Sequence, residues 1–398
     1  MLIIACAMLA TIALFLVYVC NVDITTPLLR VGGRALSMLP SVSTPFGRVH
    51  IESHSNKQQV SLDIRCIACE VNSKHIGETP FTSSTARLTG TYEHNKFRGV
   101  FLDTDVKVAL NSSWENGKAS GKFSIAETKI AALYQVFASI VPEVSDANIT
   151  GTLSGSGSFR WPDAQLAFKP TIKDFKVDGL IDADDYLSGE FDYQGKNGKG
   201  EIVSYTSGDS DDYWIPLNEA GEFLTKAIMA AEDRGFLTHP GYDLAAMHAA
   251  STDNRKAGKL KRGGSTLSQQ LAKNLFLSPN RTYSRKLREL LYAVEMEREL
   301  GKKRILELYL NIVEWGPDIR GAKAAAKAYF GKEVKSLLPE EAAWLASIIR
   351  SPKLAYHREF LKRKPSLPQV EFVLTHMDIE SEMKREAFAR LSKLKFRD

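Results

Sequence analysis

Residues 229–241, MAAEDRGFLTHPG, end an apolar helical pattern in two consecutive carboxylates, Glu232 and Asp233. The apolar residues upstream recur at helical spacing and are Phe223, Leu224, Ala227, Ile228 and Ala231. Pro216 is suited to the first turn of that helix. The negative end of a helix dipole disfavours a carboxylate by a few tenths to about 1 kcal/mol. The pair is therefore either a solvated helix end with an arginine partner or a carboxylate placed for chemistry.

The chain has 398 residues, of which 44% are hydrophobic and 25% charged, and this composition predicts a folded protein of two or more domains. Residues 1–22 carry no charged side chain. As a helix they would extend about 33 Å, enough to cross a bilayer core of about 30 Å. We expect an uncleaved transmembrane anchor, since a cleaved signal peptide would begin with positive charge. The arginines after residue 22 would, by the positive-inside rule alone, place the rest of the chain in the cytoplasm.

Residues 45–205 predict a β-rich domain of short strands that alternate apolar and polar residues between glycine, asparagine and serine. A helical insert at 130–141 interrupts them, and residues 193–205 predict a hairpin with Asn-Gly at its tip. This half contains no evident arrangement of acid, base and nucleophile. The run at 149–180 resembles, through its glycines and its alternation, the β-repeat segments of AsmA-like and TamB-like envelope proteins.

Cys66 and Cys69 lie three residues apart in the strand-like sequence SLDIRCIACEVN. One such pair cannot complete a zinc site, and the context is not that of a thioredoxin motif. Two hypotheses for this pair remain open: the cysteines form a small structural disulfide, if the domain faces an oxidising compartment, or they are two buried thiols.

After the polar stretch at 206–212 the pattern becomes helical, and the formal net charge of +5 comes from this second half. A modest basic excess near a membrane anchor indicates anionic lipid or a phosphate-bearing substrate. No stripe of base-stacking aromatic residues accompanies it, so we expect no nucleic acid.

Residues 261–277, KRGGSTLSQQLAKNLFL, predict a helix that opens with a capping box between Thr266 and Gln269. The N–H groups at its start would suit an anion. Gln269, Gln270, Lys273 and Asn274 fall within about one turn of each other, which is a costly set of polar groups to bury without a function.

Residues 280–300 place Arg281, Arg285 and Arg288 on one helical face, with Glu289 four residues after Arg285. The pattern is typical of a salt-bridged surface helix. It would equally serve as a guanidinium clamp for phosphate with a carboxylate inside it.

Five stretches in this order resemble the successive motifs of the family 51 peptidoglycan glycosyltransferases, most closely those of the monofunctional members. They are AAEDRGFLTHPGYD, KRGGSTLSQQLAKNLFL, RTYSRKLRELLYAVEME, KKRILELYLNIVEWG and GAKAAAKAYFGK with LLPEEAAWLA. The resemblance covers residues 213–355. No K-T-G follows the S-x-x-K strings near the C-terminus, so no transpeptidase domain is expected.

Together with the patterns above, the resemblance predicts an α+β multidomain chain: a transmembrane anchor (1–22) and a β-rich envelope domain (45–205), both from the sequence pattern, and a mostly helical, lysozyme-like glycosyltransferase domain (213–398), which the resemblance implies. Glu232 would be the general base, and Glu289 would act on the donor diphosphate, directly or through a divalent cation such as Mg²⁺ or Mn²⁺. No protein metal site is predicted. The substrate-binding residues implied are Ser265, Gln269, Gln270, Lys273, Asn274, Arg281 and Arg285. Residues 351–377 depart from the family pattern, so no donor-side residue is predicted there.

The activity implied is transfer of a growing lipid-diphosphate-linked glycan to the 4-hydroxyl of a lipid-linked disaccharide-pentapeptide, with inversion. Because this polymerisation occurs outside the inner membrane, the resemblance overrules the positive-inside count and implies a single-pass protein with a periplasmic catalytic domain. Membrane lipids and the glycan strand are the expected partners, and cell-wall synthesis proteins could bind the β-rich domain. The alternatives are a lytic glycosidase and a non-catalytic envelope scaffold.

Overall fold

The structure, a computed structural model, describes residues 42–44, 47–55, 59–115, 118–161, 165–257, 263–278, 280 and 282–397. The chain divides into two compact units. The first unit contains the chain up to Leu180 and a short segment that ends at Arg288, and the second contains Ile181–Asn280 and Glu289–Asp398. No helix among the described residues is long and apolar enough to cross a membrane, and the predicted anchor at 1–22 lies outside them.

The first unit is built on an antiparallel sheet of ten described strands. The strands are β1 (Val42–Thr44), β2 (Gly47–Ser55), β3 (Val60–Val71), β4 (Phe81–Ser83), β5 (Arg87–Glu93), β6 (Lys96–Asp103), β7 (Val106–Glu115), β8 (Lys118–Lys129), β9 (Asn148–Trp161) and β10 (Gln165–Asp178). Their order in the sheet is β1-β2-β3-β5-β6-β7-β8-β9-β10, and β4 pairs with β3. Each strand therefore lies beside a near neighbour in sequence, as expected for a meander.

The strands predicted from alternation are confirmed, and the helical insert is confirmed in part. Helix α1 (Ile130–Gln135) is shorter than the predicted 130–141 and continues in turns to a 3₁₀ helix, Pro142–Ser145. Tyr134 and Phe137 of this insert are buried together with sheet residues such as Phe101. The insert thus supplies part of the core that the sheet alone would leave open.

The glycines of the GSGS run in β9 make room for aromatic rings on one face of the sheet. A Cβ on Gly157 would lie 2.3 Å from Cζ of Phe123, and one on Gly155 would lie 2.9 Å from the Phe168 ring. The two rings stack with centroids 5.5 Å apart. The glycine alternation noted in the sequence therefore has a packing cause.

Cys66 and Cys69 form a disulfide within β3. Three residues of a regular strand cover about 10 Å, whereas these two Cα atoms are 5.8 Å apart. The pairing of β2 with β3 explains the difference, because Arg48 pairs with Ala68 and Val49 with Cys66, which leaves Ile67 as a bulge. The open choice between disulfide and thiols is resolved as a disulfide that staples this bulge.

The second unit is mainly helical. Helix α6 (Tyr283–Glu299) belongs to this unit from Glu289 onward. The other helices of the unit are α2 (Asp184–Leu187), α3 (Glu222–Glu232), α4 (Leu244–Ala257), α5 (Leu267–Phe276), α7 (Gly301–Ile312), α8 (Ala322–Phe330), α9 (Pro339–Ile348), α10 (Pro352–Ala355), α11 (Leu367–His376) and α12 (Ser381–Arg390). Two hairpins accompany them, β11 (Glu190–Lys196) with β12 (Ile202–Gly208) and β13 (Glu314–Gly316) with β14 (Ile319–Arg320). Trp315, Trp344, Tyr309 and Tyr329 are fully buried in the core.

The structure divides the chain earlier than the predicted boundary between residues 205 and 213. Hairpin β11–β12 is the predicted one, but it belongs to the second unit, since Phe191 and Tyr193 are buried in that unit's core. Pro216 also differs from its predicted place. It precedes a separate 3₁₀ turn, Leu217–Glu219, and Gly221, at φ 71°, is the N-cap residue of α3.

We expect Gly157→Val to destabilise the first unit by about 1–3 kcal/mol, because the branched side chain would have to displace the Phe123 ring. The measurement is urea unfolding of the full chain followed by circular dichroism of the strands.

Ser158→Val is the matched control, because Ser158 is exposed on the opposite face of the same strand. Equal loss of stability in the two variants would show that the glycine face carries no special packing.

Candidate active site

Glu232 is the last residue of α3, and its side chain is 7% exposed. The Nε2 amide of Gln270 donates to its Oε2 at 2.9 Å. Arg350 Nε donates to its Oε1 at 3.0 Å, and Arg350 Nη2 donates to the carbonyl of Ala231 at 3.1 Å. The carboxylate is therefore held from both sides, and Arg350 offsets the unfavourable helix end.

Gln270 is oriented in turn by Tyr309. The Tyr309 hydroxyl donates to Gln270 Oε1 at 3.1 Å, which leaves the amide nitrogen directed at Glu232. Burial first, and then the negative charges of Glu232 and Asp233, raise the pKa of Tyr309 well above its ordinary value. The hydroxyl consequently stays protonated and remains a donor. The hydrogen bonds therefore run from Tyr309 to Gln270 and from Gln270 to Glu232.

Asp233 joins the end of α3 to the start of α5. Its Oδ2 accepts from the backbone N–H of Leu267 at 2.8 Å and from His239 Nε2 at 2.9 Å. Because the N–H of Gly241 donates to His239 Nδ1 at 3.1 Å, the imidazole proton sits on Nε2. Asp233 thus shapes the turn between the two helices, and His239 has a structural partner.

The predicted capping box is present, but the helix start is not open to an outside anion. Thr266 accepts from the N–H of Gln269 at 3.2 Å, and Gln269 Oε1 accepts from the N–H of Thr266 at 3.2 Å. The N–H of Leu267, expected to be available for an anion, is used by Asp233. The expected anion site is wrong because the protein supplies its own carboxylate there.

The other predicted residues of α5 fall into two groups. Gln270, Lys273 and Asn274 lie at i, i+3 and i+4 and are half-buried, so they share the face that meets Glu232. Ser265, before the cap, is also half-buried. Gln269 is only 1% exposed, so its side chain serves the helix cap rather than an open cleft wall.

The residues predicted on α6 differ in burial and in the unit to which they belong. Arg281 lies outside the described residues, Arg285 is half-buried in the first unit, and Glu289 is fully buried in the second. Arg288 does not contribute a spare charge, because its Nε pairs with Glu143 Oε1 at 2.6 Å. One arginine of the predicted basic face therefore forms an ion pair within the protein.

Sequence reasoning missed Arg350, Tyr309 and Asn311. Asn311 donates to the carbonyl of Ile215 at 2.9 Å and accepts from its N–H at 2.8 Å, which fixes the segment before α3. A cation after an apolar helix, as in the sequence SIIRSP, was the available signal for Arg350. Trp315 belongs to the core, since it is fully buried and its indole N–H donates to the carbonyl of Leu345.

Within the described part of the chain, no three or more His, Cys, Asp and Glu side chains form a group that could hold a metal ion. Glu289 is fully buried.

Residues 199–378 match the family model described as Transglycosylase. A biosynthetic peptidoglycan transglycosylase of Nitrosomonas eutropha is 49% identical over 140 residues, which is 35% of this chain and 57% of that protein. Proteins of the same name from Azoarcus sp. and Nitrosomonas europaea are 48% and 49% identical over 37% and 38% of this chain, and 63% and 62% of their own. The chain thus spans less than two thirds of these relatives, and over residues 199–378 it matches the transglycosylase family, as the sequence motifs predicted.

Proposed function

We propose that this chain polymerises the glycan strands of peptidoglycan, using a lipid-linked disaccharide-pentapeptide as acceptor and a lipid-diphosphate-linked glycan as donor. The observation that carries the proposal is the Glu232 carboxylate, which is almost buried at a helix end and held by a hydrogen-bond chain. The family match of residues 199–378 supports the same reaction class.

In the proposed step Glu232 takes the proton of the acceptor's 4-hydroxyl. The oxygen then bonds to the anomeric carbon of the donor glycan, and the bond from that carbon to the lipid diphosphate breaks. Attack opposite to the leaving group inverts the configuration at this carbon. The electron pair leaves on the diphosphate, so one glycosidic bond replaces one phosphoester bond.

The two oxygens of Glu232 are held differently, and this difference suits a general base. Oε2 is fixed from inside by Gln270, whereas Oε1 is held by Arg350, whose side chain is 47% exposed. An acceptor hydroxyl can replace the Arg350 contact at Oε1 while Gln270 keeps the carboxylate in place. Geometry of this kind is what general-base catalysis requires.

The leaving diphosphate needs positive charge, and we assign that role to Lys273, Arg281 and Arg285, with Ser265, Gln270 and Asn274 binding the sugars, whereas Gln269 supports the site by capping α5. Glu289 would act on the diphosphate through a divalent cation, Mg²⁺ or Mn²⁺. One carboxylate together with substrate phosphates is a normal magnesium environment, so the residues fit such a cation. When bound, the cation would neutralise charge that develops on the leaving group.

We also propose where the chain is located and which fold its catalytic domain has. Residues 1–22 would anchor the chain in the inner membrane as a single pass, with a lysozyme-like catalytic domain in the periplasm. The disulfide Cys66–Cys69 supports this location, because disulfides persist in oxidising compartments.

We expect Glu232→Gln to reduce polymer formation by about 10²–10⁴-fold, because glutamine keeps the shape of the side chain but cannot accept the proton. The measurement uses the full chain in detergent with labelled lipid-linked disaccharide-pentapeptide and Mg²⁺. Glu289→Gln is tested beside it.

Glu222→Gln is the matched control, since Glu222 lies at the other end of α3, is 66% exposed and pairs with Lys226. Polymer from the wild type and from the control, with none from Glu232→Gln, supports the polymerase. No polymer from any protein that still binds the substrate would instead favour a scaffold, and cleavage of preformed glycan would favour a lytic glycosidase.

Tyr309→Phe should lower kcat/KM about fivefold, the equivalent of one lost hydrogen bond of about 1 kcal/mol, because Gln270 would no longer be oriented toward Glu232. Initial rates of polymer formation over a range of substrate concentrations measure this effect.

Tyr329→Phe provides the comparison, because Tyr329 is equally buried and its hydroxyl donates to the carbonyl of Trp315. It should cost stability and leave kcat/KM unchanged. An equal loss of activity in the two variants would mean that the Tyr309 hydroxyl acts only on stability.

A further inference from the structure

The first turn of α6 takes its backbone hydrogen-bond partners from a loop of the first unit. Ser284 is only 3% exposed. The N–H of Tyr283 donates to the carbonyl of His75 and the N–H of Ser284 to that of Ile76, both at 2.8 Å. Helix starts leave such donors without intrahelical partners, so the loop of the first unit completes this helix.

Two side chains of the helical insert hold the second turn of α6. The Tyr134 hydroxyl donates to the carbonyl of Leu287 at 3.1 Å. Glu143, itself 5% exposed, accepts from Arg288 at 2.6 Å. A buried carboxylate is stable only beside a partner of opposite charge, so the pair fixes both its members.

The loop and the insert form one body, which we call the cradle and define as residues 73–77 and 130–145. Thr79, just after the loop, donates to the carbonyl of Ser139 at 2.7 Å. Phe81 packs on Phe137 with ring centroids 6.0 Å apart. The cradle is therefore attached to the sheet and does not depend on α6 alone for its shape.

The cradle fixes the first two turns of α6 at several points. Residues 283, 284 and 287 contact it through backbone atoms, and Arg288 contacts it through its side chain. Arg285 lies within the same two turns, three residues before Arg288. Fixing these turns sets the rotation of the helix there, and hence the direction of the Arg285 side chain.

We propose that the cradle is a positioning element for glycan polymerisation, which fixes the first two turns of α6 so that Arg285 meets the diphosphate of the donor. Glu143 and Tyr134 are then positioning residues that act through Arg288 and Leu287. The inference rests on the proposed function and gives the β-rich unit a task within that function.

Glu143→Gln in the full chain tests the proposal, with Tyr134→Phe as a milder second variant. We expect faster hydrogen exchange at the amides of residues 283–285. We expect kcat/KM for polymerisation to fall about tenfold to a hundredfold, since displacing a binding group by about 1 Å has effects of this size. The loss should lie mainly in KM, because a diphosphate contact exists before the transition state.

Glu127→Gln is the matched control, because Glu127 pairs with Lys173 at 2.8 Å in the same unit and both side chains are exposed. Arg288→Gln alone and combined with Glu143→Gln completes a double-mutant cycle, in which the double variant should be no worse than either single variant.

Unchanged exchange, or faster exchange with KM and kcat equal to those of the control, would overturn the positioning role. A wild type that makes no polymer would refute the proposed function instead. In that case, exchange at residues 283–285 and equilibrium binding of the labelled lipid-linked substrate still decide whether the cradle positions α6.

Discussion

The Asp233 carboxylate determines how the candidate site is assembled. By accepting from the Leu267 N–H and from His239 it ties the end of α3 to the start of α5. Only with these two helix ends joined does Gln270 reach the neighbouring Glu232. A buried carboxylate needs hydrogen-bond donors, and the first N–H groups of a helix need acceptors. The Asp233 carboxylate and the start of α5 therefore each offset the free-energy cost of burying the other.

The same joint explains why two adjacent acids at one helix end can have different tasks. Asp233 is 7% exposed, and its carboxylate accepts from the backbone of Leu267 and from His239, which are themselves buried. Glu232, by contrast, has one oxygen on an internal amide and the other on the partly exposed Arg350. The first carboxylate therefore supports structure, and the second keeps one side that a substrate could approach.

Local patterns in the sequence were sufficient for strands, caps and the β11–β12 hairpin, because alternation and capping residues act within a few positions. The capping box at Thr266 and Gln269 is an example. Partners distant in sequence could not be predicted in this way. Arg350 lies 118 residues from Glu232. Helical spacing placed Arg288 on a basic face and left open whether it pairs with an acid or binds phosphate, because it gave no sign of Glu143.

The change from strand pattern to helical pattern in the sequence does not coincide with the division into two compact units, and the reason is physical. A boundary drawn where strands give way to helices ignores that Phe191 and Tyr193, though in strands, are buried in the helical unit's core. It equally ignores that the start of α6, though helical, completes its backbone hydrogen bonds in the β-rich unit. Hydrogen-bonding and burial requirements, rather than the type of secondary structure, decide which residues fold together. The segment that contains Arg285 therefore depends on the β-rich half for its order.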